Sequence, residues 1–152
     1  METRERTFLM VKPDGVQRAL VGNVISRMEN KGLKLVAMKM MQVSRELASR
    51  HYREHEGKPF YDGLIEFITS APVVAMIWEG NDVIEMTRTL VGATDPKKAA
   101  PGTMRGDLVV FTGKNMVHAS DSLESATREI DLFFNKNEIC PYNQPHENCL
   151  YE

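Results

Sequence analysis

The chain has 152 residues, 42% of them hydrophobic, which is the size of one ordinary domain with enough apolar material for a full core. Its formal net charge of -2 excludes the strongly basic balance of a dedicated nucleic-acid binder, although its nineteen Lys and Arg could still gather in one anion-binding cleft. Its longest strictly apolar stretch, the eight residues Ala71 to Trp78, is far short of the roughly 20 that a membrane helix needs.

Met1 to Thr7 is rich in charge and has neither the apolar segment of a signal peptide nor a transit-peptide composition, so a cytoplasmic location is expected. Phe8 to Val11 is a short apolar run closed by Lys12-Pro13-Asp14-Gly15, which reads as a buried strand and a turn, with Lys12 at the strand's end. Val21, Val24, Ile25 and Met28 recur at helical spacing, and Lys31 with Gly32 forms a stop. Leu33 to Val43 reads as a second strand. Ser44 then caps a helix running to about His55, where Gly57 and Pro59 break it, and another helix covers about Tyr61 to Ser70.

Val73 to Trp78 is the third strand. Asp82 and Glu85 have capping-box spacing ahead of a helix that Gly92 ends. Residues 92 to 107, with two Pro and three Gly, read as a long loop carrying Thr94 and Arg105. A short strand follows around Met116 to His118. Asp121 and Glu124 then open a helix whose apolar stripe is Leu123, Ala126, Ile130 and Phe133. The tail from Asn135 lacks periodicity and is expected to wrap the surface. It holds both cysteines, Cys140 and Cys149, without a CxxC pattern, and neither a disulfide nor a zinc site is expected. This order of elements suits a single α/β sandwich with a mainly antiparallel four-stranded sheet.

Neither GxxxxGK[ST] nor a strand-borne GxGxxG occurs, so any phosphate binding must come from side chains. His118 lies between a strand and a helix, and Glu129, eleven residues on, falls two turns into that helix, from where its carboxylate could reach back to the imidazole. A neutral imidazole whose tautomer is held by a carboxylate is an activated nucleophile. Taken one at a time, these residues favour blander roles: His118 a surface histidine, Phe60 a core aromatic, Arg88 a solvated helix face, Lys12 a strand-end charge, Arg105 part of a basic loop. His51 and His55 read as helix-surface or satisfied core histidines.

The joint pattern is more specific. Asn115-Met-Val-His118-Ala-Ser120-Asp121 resembles the N-x-x-H-[GA]-S-D signature of nucleoside diphosphate kinases. Thr7 to Gly15 resembles that family's opening strand and K-P-D-G turn, His51-Tyr52 and Pro59-Phe60 its nucleotide-facing segment, Pro101 to Asp107 its phosphate loop, and Leu150-Tyr151-Glu152 its ending. The motifs stand in order over about the whole chain. Ala119 departs from the commoner Gly and is tolerable only if its backbone avoids left-handed φ.

The resemblance implies a ferredoxin-like fold over residues 1–152 and ping-pong phosphoryl transfer through His118, with Glu129 and Ser120 orienting the ring. It implies Arg88, Arg105 and Thr94 on the terminal phosphates, Tyr52 near the γ-phosphate, Lys12 and Asn115 on the ribose, and Phe60 stacked on the base. ATP is the implied donor, nucleoside di- and triphosphates the partners, and Mg2+ is carried on their phosphates with no protein metal cage. Broad base use and a homohexamer, or in some bacteria a tetramer, are also implied, with the long loop and the tail at subunit contacts. Two rivals share the fold: a nucleotide-sensing or nucleic-acid-binding module, opposed by the missing aromatic signature and net positive charge, and a catalytically inactive homologue, opposed by the intact His118 and Glu129.

Overall fold

A computed structural model describes residues 4–151, so the first three residues of the N-terminal segment and the last residue of the Leu-Tyr-Glu ending lie outside it. Four strands, β1 (Glu5–Val11), β2 (Lys34–Met41), β3 (Val73–Gly80) and β4 (Val117–Ala119), form one antiparallel sheet in the order β2-β3-β1-β4. This is the ferredoxin-like arrangement that the sequence led us to expect. β1 and β3 are central strands covered on both faces, which is why they read as continuous apolar runs. Phe8, Met10, Ala75 and Ile77 point to one layer, whereas Leu9, Val11, Val74, Met76 and Trp78 point to the other.

The helices are α1 (Pro13–Gln17), α2 (Val21–Lys31), α3 (Arg45–His51), α4 (Tyr61–Thr69), α5 (Val83–Val91), α6 (Met104–Leu108) and α7 (Leu123–Phe133). Ala48, Tyr52, Ile65, Ile68 and Phe133 cover the Phe8 face, while Val24, Met28, Val83, Val91 and Met104 cover the Leu9 face. Gly32 ends α2 at φ 98, the left-handed stop expected of it, and Ser44 caps α3 by accepting from the Leu47 amide. The tail wraps the sheet's edge: the Cys140 amide donates to Val36 O, and the Tyr142 hydroxyl to Leu35 O. Both cysteines are free and exposed.

Four local expectations are corrected. Lys12 to Gly15 is not a simple turn but the entry to α1, with Pro13 in its first turn, where a missing N–H costs nothing. Asp82 makes no capping bond, being left-handed at φ 54; the Glu5 carboxylate accepts from the Ile84 amide instead, so the cap arrives from β1. Residues 92–107 are not all loop, because Thr103 caps α6 and Gly106 packs where a Cβ would lie 1.9 Å from Ala100 O. Ser122 rather than Asp121 caps α7, and this leaves Leu123 60% exposed, outside the buried stripe of Ala126 and Phe133.

Candidate active site

His118 occupies the middle of β4, an edge strand, opposite Met10 of β1, and its side chain is 24% exposed. The helix that packs across β1, α7, brings Glu129 beneath it. His118 Nε2 lies 2.6 Å from Glu129 Oε2, and the Ser120 hydroxyl donates to Oε1 at 2.5 Å. Burial on its own would raise the Glu129 carboxyl, yet the hydrogen bonds from His118 and Ser120 more than offset it and hold the acid below its ordinary value. A carboxylate there places the ring proton on Nε2 and leaves the Nδ1 lone pair free, the tautomer a nucleophilic histidine requires.

The strand that carries His118 is presented by a clamped backbone. Met116 sits at φ 75, a strained setting for a residue with a side chain, worth on the order of 1–3 kcal/mol. Its peptide is held from both sides by the Lys12 to Gly15 segment: the Lys12 amide donates to Met116 O at 2.8 Å, and Asp14 Oδ2 accepts from the Met116 amide at 3.0 Å. Gly15 permits this approach, since a Cβ there would lie 2.9 Å from Met116 O. The left-handed position therefore falls at Met116, not at Ala119, which is a buried strand residue whose methyl group costs no backbone strain.

Three cations converge on residues 115–119. Lys12 Nζ donates to Asn115 Oδ1 at 2.8 Å; burial first, then Arg105, pushes the amine down to about 8. Arg105 is buried and donates to the carbonyls of Asn115, Gly92 and Val117, at 3.3, 3.3 and 2.7 Å. Burial and the neighbouring Arg88 lower its guanidinium to about 10, still cationic at neutral pH. Arg88, from α5, donates to Ala119 O at 3.2 Å. Among the described residues none of these three cations forms an ion pair with a carboxylate, although Asp14 and Asp121 act on Lys12 and Arg88 through space, and such a concentration of positive charge with planar guanidinium donors suits phosphate oxygens.

The structure thus brings together His118, Glu129, Ser120, Lys12, Asn115, Arg88 and Arg105. Tyr52 stands one ring away, against His51 at 4.6 Å, and burial with the Glu129 charge pushes its phenol up to about 12, so it stays a donor. Among the described residues no hydrogen bond, ion pair or ring contact joins Phe60 or Thr94 to that group. Phe60 lies 51% exposed at the start of α4 beside His55, and Thr94 lies exposed just beyond Gly92. Two contributors escaped the sequence reading. Asp14 was visible only as a turn residue, and His51 as a surface or satisfied histidine; in fact it is buried beside His118, and among the described residues neither of its nitrogens has a hydrogen-bond partner. The burial of α3's last turn, signalled by Ala48 three residues earlier, was the available hint.

A cavity of about 1340 Å³ lies elsewhere, at the Glu5 end of β1. Its cations are already paired, Arg4 and Lys34 with Glu147 at 3.0 and 2.8 Å and Arg6 with Glu79 at 2.9 Å, so it offers phosphate nothing free.

Known proteins share this fold and much of this sequence. The family model "Nucleoside diphosphate kinase" matches residues 5–139. A nucleoside diphosphate kinase of Staphylococcus aureus is 61% identical over 148 residues, 97% of this chain and 99% of the relative. Among solved structures, a halophilic nucleoside diphosphate kinase from Halobacterium salinarum, in complex with CDP, superposes with a TM-score of 0.96 at 51% identity, covering 99% of this chain and 100% of that one. A nucleoside diphosphate kinase family protein from Babesia bovis gives 0.95 at 46% identity, over 97% and 99%. With a family match over most of its length and a relative at this identity, the chain belongs to the nucleoside diphosphate kinase family.

Proposed function

We propose that the phosphotransferase activity of this chain, transfer of phosphate between nucleotides, runs as two half-reactions through His118 within a single domain. The observation that carries this reading is the 2.6 Å bond from His118 Nε2 to Glu129, which leaves Nδ1 as the free nucleophile on a strand whose flanking carbonyls, of Val117 and Ala119, receive Arg105 and Arg88. In the first half-reaction, Nδ1 attacks the γ-phosphorus of a nucleoside triphosphate in line. The bond to the β-γ bridging oxygen breaks, and a nucleoside diphosphate leaves. The imidazole becomes a phosphoimidazolium whose Nε2–H faces the Glu129 carboxylate, and Ser120 holds that carboxylate in place. In the second, a terminal oxygen of another nucleoside diphosphate attacks the same phosphorus and Nδ1 departs.

The transferring group in such reactions is loosely bonded at the transition state, so positioned positive charge is the main catalytic resource. Arg105 and Arg88 supply it; Thr94 and the protonated Tyr52 phenol add hydroxyl donors at the terminal phosphates. Lys12 and Asn115 hold the ribose hydroxyls, and Phe60 stacks on the base. Mg2+ fits as an ion carried on the nucleotide: a hard cation takes oxygen ligands, and the one donor cluster among the described residues, His51, His118 and Glu129, supplies two nitrogens and a carboxylate already bonded to His118. Incubation with labelled ATP and Mg2+ tests the reading. Acid-labile phosphate on His118 is the expected result, and phosphate on any other residue, or none, overturns it.

The Lys12 amine is charged below about pH 8 and neutral above it in the free protein. Because kcat/KM reports ionisations of the free enzyme, its value for a nucleoside diphosphate should fall as pH rises through about 8. Lys12→Met should lower kcat/KM and remove that limb. A limb that survives the substitution belongs to another group.

Base choice should be weak, because Phe60 offers only a ring face, and stacking varies by about 1–3 kcal/mol per base. ADP, GDP, CDP and UDP are all expected as substrates, with purines somewhat favoured. A 3′-deoxy analogue should suffer more than any change of base, since it strands Lys12 and Asn115. Comparison of kcat/KM across these five compounds checks it; a preference for one base above about a thousandfold would require a group that reads base edges.

A cytoplasmic homohexamer is the assembly and location we favour, over a tetramer. β2 is an edge strand with Met38 and Met40 exposed, and Val110 and Phe111 stand exposed beyond α6, so two separate apolar surfaces are available for symmetric contacts. No described helix is long and apolar enough to cross a membrane.

A further inference from the structure

We infer that His51 is a positioning residue for the phosphoryl acceptor: its buried ring is the wall that sets the plane of the His118 imidazole and hence the direction of the Nδ1 lone pair. This rests on the reading of His118 as the acceptor. The ring of His51 stands edge-on to that of His118, with centroids 4.6 Å apart and an interplanar angle of 82°. It cannot give way, being backed edge-on by Phe133 at 5.3 Å and flanked by Tyr52 at 4.6 Å. The ring of Phe8, 6.1 Å away, is a more distant neighbour of His118.

A wall is needed because the Glu129 hydrogen bond alone does not define that plane. The second side-chain torsion of histidine is broad and has no sharp staggered minimum. The axis of this torsion runs along Cβ–Cγ and leaves the ring between Cε1 and Nε2, so rotation about it moves Nδ1 farther than Nε2. A hydrogen bond at Nε2 therefore restrains Nε2 more tightly than it aims the ring's other nitrogen, and a second contact is needed to fix the plane. In-line displacement depends on that aim, since reacting atoms about 3–3.5 Å apart must also be aligned.

The chemistry of His51 argues against a role through its nitrogens. Its Nδ1 is 3.7 Å from Glu129 Oε2, beyond a hydrogen bond, and that oxygen is already taken by His118. Burial and then the nearby His118 push its pKa down to about 3, so it stays neutral and does not compete as a cation for the carboxylate. What remains is a flat, rigid, uncharged ring in contact with the nucleophile.

The test compares His51→Phe, which keeps a flat ring, with His51→Leu, which fills the space without one, and with His51→Ala. Single-turnover phosphorylation by ATP and Mg2+ is measured alongside nucleotide affinity and thermal midpoint. His51→Leu and His51→Ala should slow phosphorylation at saturating ATP by about tenfold or more, with affinity near that of the wild type. His51→Phe should stay within about threefold of the wild type, a rescue that a merely space-filling role does not require. The inference is overturned if His51→Leu matches the wild type, or if His51→Phe is as slow as His51→Ala, which would assign the effect to the nitrogens. Wild-type protein that forms no phosphohistidine at all would instead overturn the reading of His118.

Discussion

His118→Ala is expected to abolish phosphoryl transfer, by at least about 10⁴-fold, while nucleotide still binds. The size of the effect follows from the covalent route: without Nδ1 there is no atom to carry the phosphate between two nucleotides that occupy the same site in turn. Structural damage should be slight, because the side chain is part-exposed and its one hydrogen bond among the described residues is to Glu129. That carboxylate keeps Ser120 but loses the donor that contributes most to holding its pKa down, so it becomes a weaker anion in a buried place. A thermal midpoint a few degrees lower is the most that this should cause. Labelled ATP should leave no acid-labile phosphate on the variant, and steady turnover should vanish. Ordinary turnover would mean direct transfer between two nucleotides bound together, and the two-step scheme would fall.

Arg105→Ala should have the second largest effect, and a double one. The guanidinium donates to three backbone carbonyls, those of Gly92, Asn115 and Val117, and thereby ties the residue after α5 to the segment that carries His118. Hydrogen bonds from a charged donor contribute about 1.5–3 kcal/mol each in favourable cases, and the carbonyls left behind are partly buried. A net loss of roughly 2–4 kcal/mol, or about 5–15 °C in thermal midpoint, is expected. The phosphorylation rate should fall at least about tenfold, and by more if the backbone at residue 117 relaxes. Arg88→Ala isolates the charge effect, because among the described residues that side chain makes one hydrogen bond, 3.2 Å to Ala119 O, from a half-buried position. It should lower the rate by a similar factor with less than about 1 kcal/mol of destabilisation. Single-turnover rates and melting curves on both variants separate the two roles. If Arg105→Ala changes neither, the residue is a bystander; if it melts early yet reacts normally, it is a rivet only.

The strands and the longer helices were legible because each is marked by a local period or a local stop, whereas the five-residue α1 and α6 are too short to show one. The apolar runs of β1 and β3, the stripe of α2, the Ser44 cap and the Gly32 and Gly92 stops all lie within a few residues of what they control. The pairing of His118 with Glu129 was legible for the same reason, since eleven residues along one strand-to-helix unit fix their separation nearly by themselves. The resemblance to a known family supplied the rest of the site as names and roles, but not as geometry. Only the tertiary structure could bring Lys12 to Asn115, 103 positions apart, or Asp14 to the Met116 amide, 102 apart. It also decided that Glu5 caps α5 in place of Asp82, that Leu123 faces solvent, and that His51 lies against the nucleophile. Such contacts depend on which faces of the sheet the helices cover and how the strands are ordered. A sequence read along its own length carries the period of each element, whereas the partner of each face is set by the packing of elements distant in the chain.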